Sequence, residues 1–171
     1  MPGPNISPLP VRQNFDVELF KRLARVDELN EEEEDLLKTR WYVFREGAKA
    51  YRIVNGEKGW FLAWLDEKIE HIVDQDWKNS PARGYFSHVL AVAYLMSMAG
   101  AVVPEIAQTG CAPVPEPSSE VARAAEELGI GFTNSQSMER RYSLLTPYPY
   151  SGGCSGCFLR NDCPQMNQPA D

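Results

Sequence analysis

The chain has 171 residues, with 24 acidic against 17 basic side chains and a net charge of −7. That length suits one domain with an ordinary core, and the acidic balance argues against a phosphate-neutralising nucleic-acid surface and against adsorption to an anionic membrane. A hydrophobic content of 43% excludes disorder of the chain as a whole.

The start, MPGPNISPLP, holds four prolines in ten residues and has neither a basic n-region nor an apolar h-region. It therefore reads as an extended Pro-rich arm over 1–14, not a secretory signal. The remainder, 15–171, is expected to be one helical domain. Its first helix runs from Asp16 to Leu29, with Leu19, Phe20, Leu23 and Val26 at helical period. Asn30 then has the place of an N-cap, with Glu33 at N3 completing a capping box. The acidic run Glu31–Asp35 suits the positive end of a helix dipole and reads as a solvated helix start.

Leu37, Trp41, Phe44, Ala48 and Tyr51 are spaced 4, 3, 4, 3 and predict one helix closed by Gly56. A third helix is predicted over Trp60 to Trp77, with Leu62, Leu65, Ile69, Ile72 and Val73 inward. Ser80-Pro81 supplies a cap and an N1 proline for an apolar helix ended by Gly100. Residues 84–104 contain no Asp, Glu, Lys or Arg, long enough for a membrane span. Ser87, His88, Ser97, two glycines and many alanines favour a buried central helix instead. Together 15–103 form the expected scaffold.

From Pro104 the character changes. Residues 104–117 hold four prolines and one cysteine, a rigid connector with at most one helical turn. Ser118 or Ser119 begins a short helix to Leu128, closed by Gly129, and another is expected from Gln136 to Leu145. The tail is turn-rich. Without a hairpin signal the fold class is mainly α: a bundle-like helical domain whose irregular segment, 104–171, binds a metal cluster.

All four cysteines lie in that segment: Cys154, Cys157 and Cys163 as C-x2-C-x5-C, and Cys111 43 positions before Cys154. Without a signal sequence a reducing cytoplasm is expected, where thiols tend to be ligands or catalytic groups. In C-x-x-C two sulfurs can share one side of a tight turn that Gly156 permits. A helical turn returns Cys163, and Cys111 closes a set of four, one thiolate per corner of a cubane. Arg160 is expected to offset the anionic charge, and Tyr148, Tyr150 and Phe158 to shield the group from water. Zinc is the main rival, although structural zinc usually pairs two knuckles and here there is one. A C-x-x-C redox pair would favour a strand before it and a helix after it.

CSGCFLRNDC resembles the C-x-x-C-(x-x-Arg)-x-x-C element of several unrelated [4Fe-4S] proteins: the WhiB-like regulators, the iron-sulfur staple of RecB-type nucleases and the oxygen sensors of the Crp/FNR type. The resemblance covers about ten residues plus Cys111 and implies a ligand set, not a function. The Gly-Trp-Gly turn and basic tail of the first family are missing, as are the nuclease constellation and the DNA-binding helix pair of the others. A molybdenum-donor family of nitrogenase uses C-x4-C-x2-C-x5-C, but its extra cysteine falls on Pro149.

No P-loop, dinucleotide fingerprint, G-x-S-x-G or H-E-x-x-H occurs, so no catalytic constellation is expected. His71 reads as a residue on a solvated helix face, and His88 as a core histidine satisfied by a carbonyl. The expected function is a small [4Fe-4S] redox or accessory subunit that docks on a larger protein partner. The alternatives are a structural staple, an oxygen-sensing switch in a binding module, and a zinc-stapled interaction protein.

Overall fold

The computed structural model describes residues 3–10, 12–116, 118–134 and 137–163. In chain order it has β1 (Asn5–Pro8), α1 (Val17–Ala24), α2 (Glu31–Gly47), β2 (Ala48–Asn55), β3 (Lys58–Leu65), α3 (Glu67–Asn79) and α4 (Pro81–Val102). There follow α5 (Pro104–Thr109), α6 (Ser119–Glu127), β4 (Ser143–Pro147) and two 3-10 turns, Gly153–Gly156 and Arg160–Asp162.

The expectation of a mainly α, all-helical fold is corrected. Of the described residues about 52% are helix and 17% strand, and the strands form one antiparallel sheet in the order β1-β2-β3-β4. Two of the predicted helices contain strands. The helix predicted to reach Gly56 stops at Gly47 and continues as β2; the one predicted from Trp60 begins as β3 and turns helical only at Glu67. Asn55 faces Lys58 across the hairpin. Gly56, with φ 61°, takes the first loop position, which a type II′ turn assigns to glycine. The helix expected over 136–145 is also replaced, by β4 from Ser143; its first residue, Gln136, lies outside the described residues.

The sheet is covered on both faces. Phe61, Ala63 and Leu65 of β3 enter a core with Trp41, Phe44, Leu90, Tyr94 and Met98 from α2 and α4. Trp60, Leu62 and Trp64 point the other way, into a smaller core closed by Val121, Ala124 and Ala125 of α6. β3 is therefore buried at six successive residues, and each large side chain removed from water contributes about 1.5–3 kcal/mol. α4 packs against α1, α2, α3, α5 and β3. It is the helix long and apolar enough to cross a membrane by length and composition, and Leu90, Tyr94 and Met98 sit fully buried in the core.

Helix starts follow the expected side-chain caps. Asn30 and Glu33 form a reciprocal capping box at 2.9 and 3.0 Å, Ser80 caps α4 ahead of Pro81, and Ser118 caps α6. The Pro-rich start contributes β1 at the sheet edge, and the carbonyl of Gln13 accepts the Trp41 indole N–H at 2.9 Å.

At its other edge the sheet hands the chain to the C-terminal cysteines. The Tyr148 amide donates to the Gly59 carbonyl at 2.9 Å, and a Cβ on Gly59 would run into the Tyr148 carbonyl oxygen, a backbone atom with no side chain to swing away. Gly59→Ala is therefore expected to destabilise by about 1–3 kcal/mol. Thermal unfolding should register that as a midpoint roughly 3–10 °C lower; an unchanged midpoint would mean that this edge yields freely.

Candidate metal centre

The four cysteines come together from two segments. Cys111 follows α5, whose end is turned by Gly110 at φ 68°. The Thr109 hydroxyl donates to the Glu105 carbonyl at 2.9 Å and accepts the Cys111 amide at 3.4 Å, fixing that corner. Beyond it the connector crosses the sheet edge. The buried Thr146 hydroxyl of β4 donates to the Pro113 carbonyl at 2.8 Å. The Val114 amide points at the Cys157 sulfur at 3.5 Å, and the Phe158 amide returns a bond to the Val114 carbonyl at 2.7 Å. The connector and the C-terminal turns are thus zipped together by backbone groups.

Within the tail, the two 3-10 turns do the folding. The Cys157 amide donates to the Cys154 carbonyl at 3.4 Å, the Arg160 amide to the Cys157 carbonyl at 3.2 Å, and the Cys163 amide to the Arg160 carbonyl at 3.5 Å. Each turn reverses the chain within three residues, so Cys154, Cys157 and Cys163 end on one side. All four cysteines are free thiols, with Cys154 exposed and the others half-buried. They line a single cavity of about 150 Å³, together with Arg160 and Tyr150. Tyr148 lies elsewhere, under the Arg52 guanidinium with 5.1 Å to the ring centroid. Phe158 and its neighbour Leu159 are exposed.

Burial pushes the Cys111 thiol above the ordinary thiol range, and the proximity of Cys154, Cys157 and Cys163 pushes it further.

Among the described residues, no group of three or more His, Cys, Asp or Glu side chains is arranged to hold a metal ion. The expectation that segment 104–171 is a metal-binding, iron-sulfur segment is corrected to this extent: the structure shows no metal-binding group there among the described residues. The four thiols line a cavity, and the bonds between Val114 and Cys157–Phe158 join the two segments that carry them. Comparison with protein-family models, curated proteins and solved structures finds no match to this chain.

A second polar constellation joins residues far apart in the chain. His88 Nδ1 and the Tyr142 hydroxyl are 3.0 Å apart, so the partner of His88 is a phenol, not a carbonyl. Arg141 stands beside Tyr142 and bonds Asp74 at 2.6 Å, while its amide donates to Glu70 at 2.9 Å. Fifty-four positions separate His88 from Tyr142, so no local motif could disclose the pair. His71, in contrast, is exposed, with Gln75 at 3.5 Å.

Burial first, and the Arg141 charge second, hold His88 below the ordinary imidazole value of 6.5. The folded protein therefore resists a proton that the unfolded chain accepts. Above pH 6.5 both states are neutral here and His88 adds no slope; as pH falls through 6.5 toward the lower folded value, stability is lost. Urea unfolding at pH 7 and pH 5 should show a smaller loss for His88→Gln than for the parent. Equal losses would place the acid sensitivity elsewhere.

Proposed function

We propose that Cys111, Cys154, Cys157 and Cys163 hold a [4Fe-4S] cluster, and that the chain acts as a redox or accessory subunit docking on a larger protein. The observation that carries this reading is the single cavity bounded by every cysteine of the chain. Its volume of about 150 Å³ is several times the ~30 Å³ of a liquid water molecule, room for a polyatomic group. A lone zinc ion asks for four thiolates at about 2.3 Å from one point, and the ring of thiols favours a group with a metal atom at each of four corners.

The surroundings fit an anionic, thiolate-bound group. Arg160 lines the cavity and supplies positive charge. The Val114 amide already aims at the Cys157 sulfur, and such a bond stabilises negative charge on sulfur and raises the reduction potential. Cys154 is exposed, which sets one corner at the surface where a partner can approach. Phe158 and Leu159, exposed next to Cys157, offer apolar contact area, and the net charge of −7 suits a partner with a basic rim. When bound, the cluster supplies one-electron chemistry. The protein's part is to hold four sulfurs, limit water and present one edge. A reducing compartment suits four free thiols.

The test is iron, sulfide and zinc analysis of protein purified without oxygen, followed by reductive EPR titration. About four iron and four sulfide per chain with a reversible one-electron signal is the expected result. Folded protein carrying zinc alone, or neither metal nor sulfide after anaerobic reconstitution, overturns the reading.

A further inference from the structure

Away from the cysteines, α2 and the start of α4 enclose a cavity of about 290 Å³, lined by Leu36, Leu37, Ala82, Phe86, Arg40 and Arg83, with Ser80, Ser87 and Glu33 also bordering it. Three of its lining residues, Arg40, Arg83 and Ser87, belong to a charged group centred behind them. Asp76 of α3, with only 5% of its side chain exposed, pairs with Arg40 at 3.2 Å and with Arg83 at 3.0 Å, and accepts a short hydrogen bond from the Ser87 hydroxyl. Two guanidiniums thus share the Asp76 carboxylate. Glu33 also borders the cavity and keeps its negative charge, one of its oxygens accepting from the Asn30 amide at 3.0 Å in its own helix cap, so the two guanidiniums offer an anion donor geometry and not a net charge.

Both guanidiniums keep donors unused. A guanidinium carries five N–H donors. Toward Asp76, Arg40 uses its Nη2 and Arg83 its Nε, and among the described residues no other acceptor bonds either group. The side chain of Arg40 is 20% exposed and that of Arg83 47%, so Arg40 is the one partly removed from water. Apolar walls with a few convergent polar donors at the base are the composition of a small-molecule site. The planar donor edges of two guanidiniums match a planar carboxylate better than a neutral group.

We infer that this cavity binds a small organic carboxylate, its apolar body against Leu36, Leu37 and Phe86 and its carboxylate on the free N–H groups of Arg40 and Arg83. The inference does not depend on the cysteine centre, and its test leaves that centre untouched.

The probe is phenylacetate, titrated calorimetrically into the full chain, with phenylacetamide and inorganic phosphate as separate arms. Phenylacetate should bind with a dissociation constant of about 1 mM or below, and the amide and phosphate at least about tenfold more weakly. Arg83→Gln should weaken phenylacetate by about tenfold. Ala82→Phe, at an exposed wall position, should abolish binding while thermal unfolding stays cooperative. Equal binding of the amide removes the role of the arginines, and equal binding of phosphate removes that of the apolar walls. No heat with phenylacetate, or undiminished binding to Ala82→Phe, removes the site.

Discussion

Cys111→Ser, purified without oxygen, is expected to hold less than about one iron per chain where the parent holds about four. Cys111 is the most informative of the four because nothing local ties it to the others: it reaches the cavity through the connector, on the Thr146–Pro113 and Phe158–Val114 bonds. Those bonds use backbone carbonyls, an amide and a threonine hydroxyl, so the serine variant keeps them and should fold as the parent does. Its hydroxyl, far less acidic than a thiol, leaves one corner without a strong ligand. Loading of the parent should itself weaken as pH falls, since the Cys111 proton, held above the usual thiol range, must leave before sulfur can bind metal. A variant that retains the full iron and sulfide content would strike Cys111 from the ligand set and leave three ligands and an unidentified donor.

Trp41→Ala should cost about 3–5 kcal/mol, the largest loss expected from any single side chain here. Trp41 is fully buried, its ring lies 4.6 Å from that of Tyr94 and 5.5 Å from that of Phe15, and its N–H satisfies the Gln13 carbonyl. Truncation opens a cavity between α2 and α4 and also releases the segment that leads from β1 into α1. Against a typical total of about 5–15 kcal/mol, that loss should lower the unfolding midpoint by roughly 10–15 °C. Trp41→Phe keeps most of the volume and should recover more than half. A loss near 1 kcal/mol for the alanine variant would show that the core closes over the gap.

The parts of this fold that could be read in the chain are those whose signal is local. Asn30 with Glu33, Ser80 with Pro81, and Ser118 each mark a helix start by a bond made within three residues. The β2–β3 hairpin was not legible from hydrophobic period, because burial on both faces of β3 erases the alternation that identifies a half-buried strand. Ala48 and Tyr51 happened to continue the helical spacing of Leu37, Trp41 and Phe44 past the true end at Gly47. The available clue was the Asn55-Gly56-Glu57-Lys58 turn between two β-prone runs. The C-x2-C-x5-C spacing was legible as a turn. Cys111 was expected beside it from the count of thiols alone; the backbone bonds that bring it there could be made by any residue in those positions and leave no signal in the chain. The His88–Tyr142 and Arg40–Asp76–Arg83 groups are joined only by tertiary packing, and no window along the chain contains either.

The connector and the C-terminal turn stand 43 residues apart in the chain at Cys111 and Cys154, yet meet across one cavity. A centre bound by sulfurs from both would act as a cross-link. By the chain-entropy account of a covalent bridge closing the same span, it would restrict the unfolded ensemble by about 4 kcal/mol. Damage to such a centre would then do more than end its chemistry. It would loosen everything hung between the two segments, α6 and β4 included, and expose them to proteases, so the lifetime of the polypeptide would track the integrity of its cofactor.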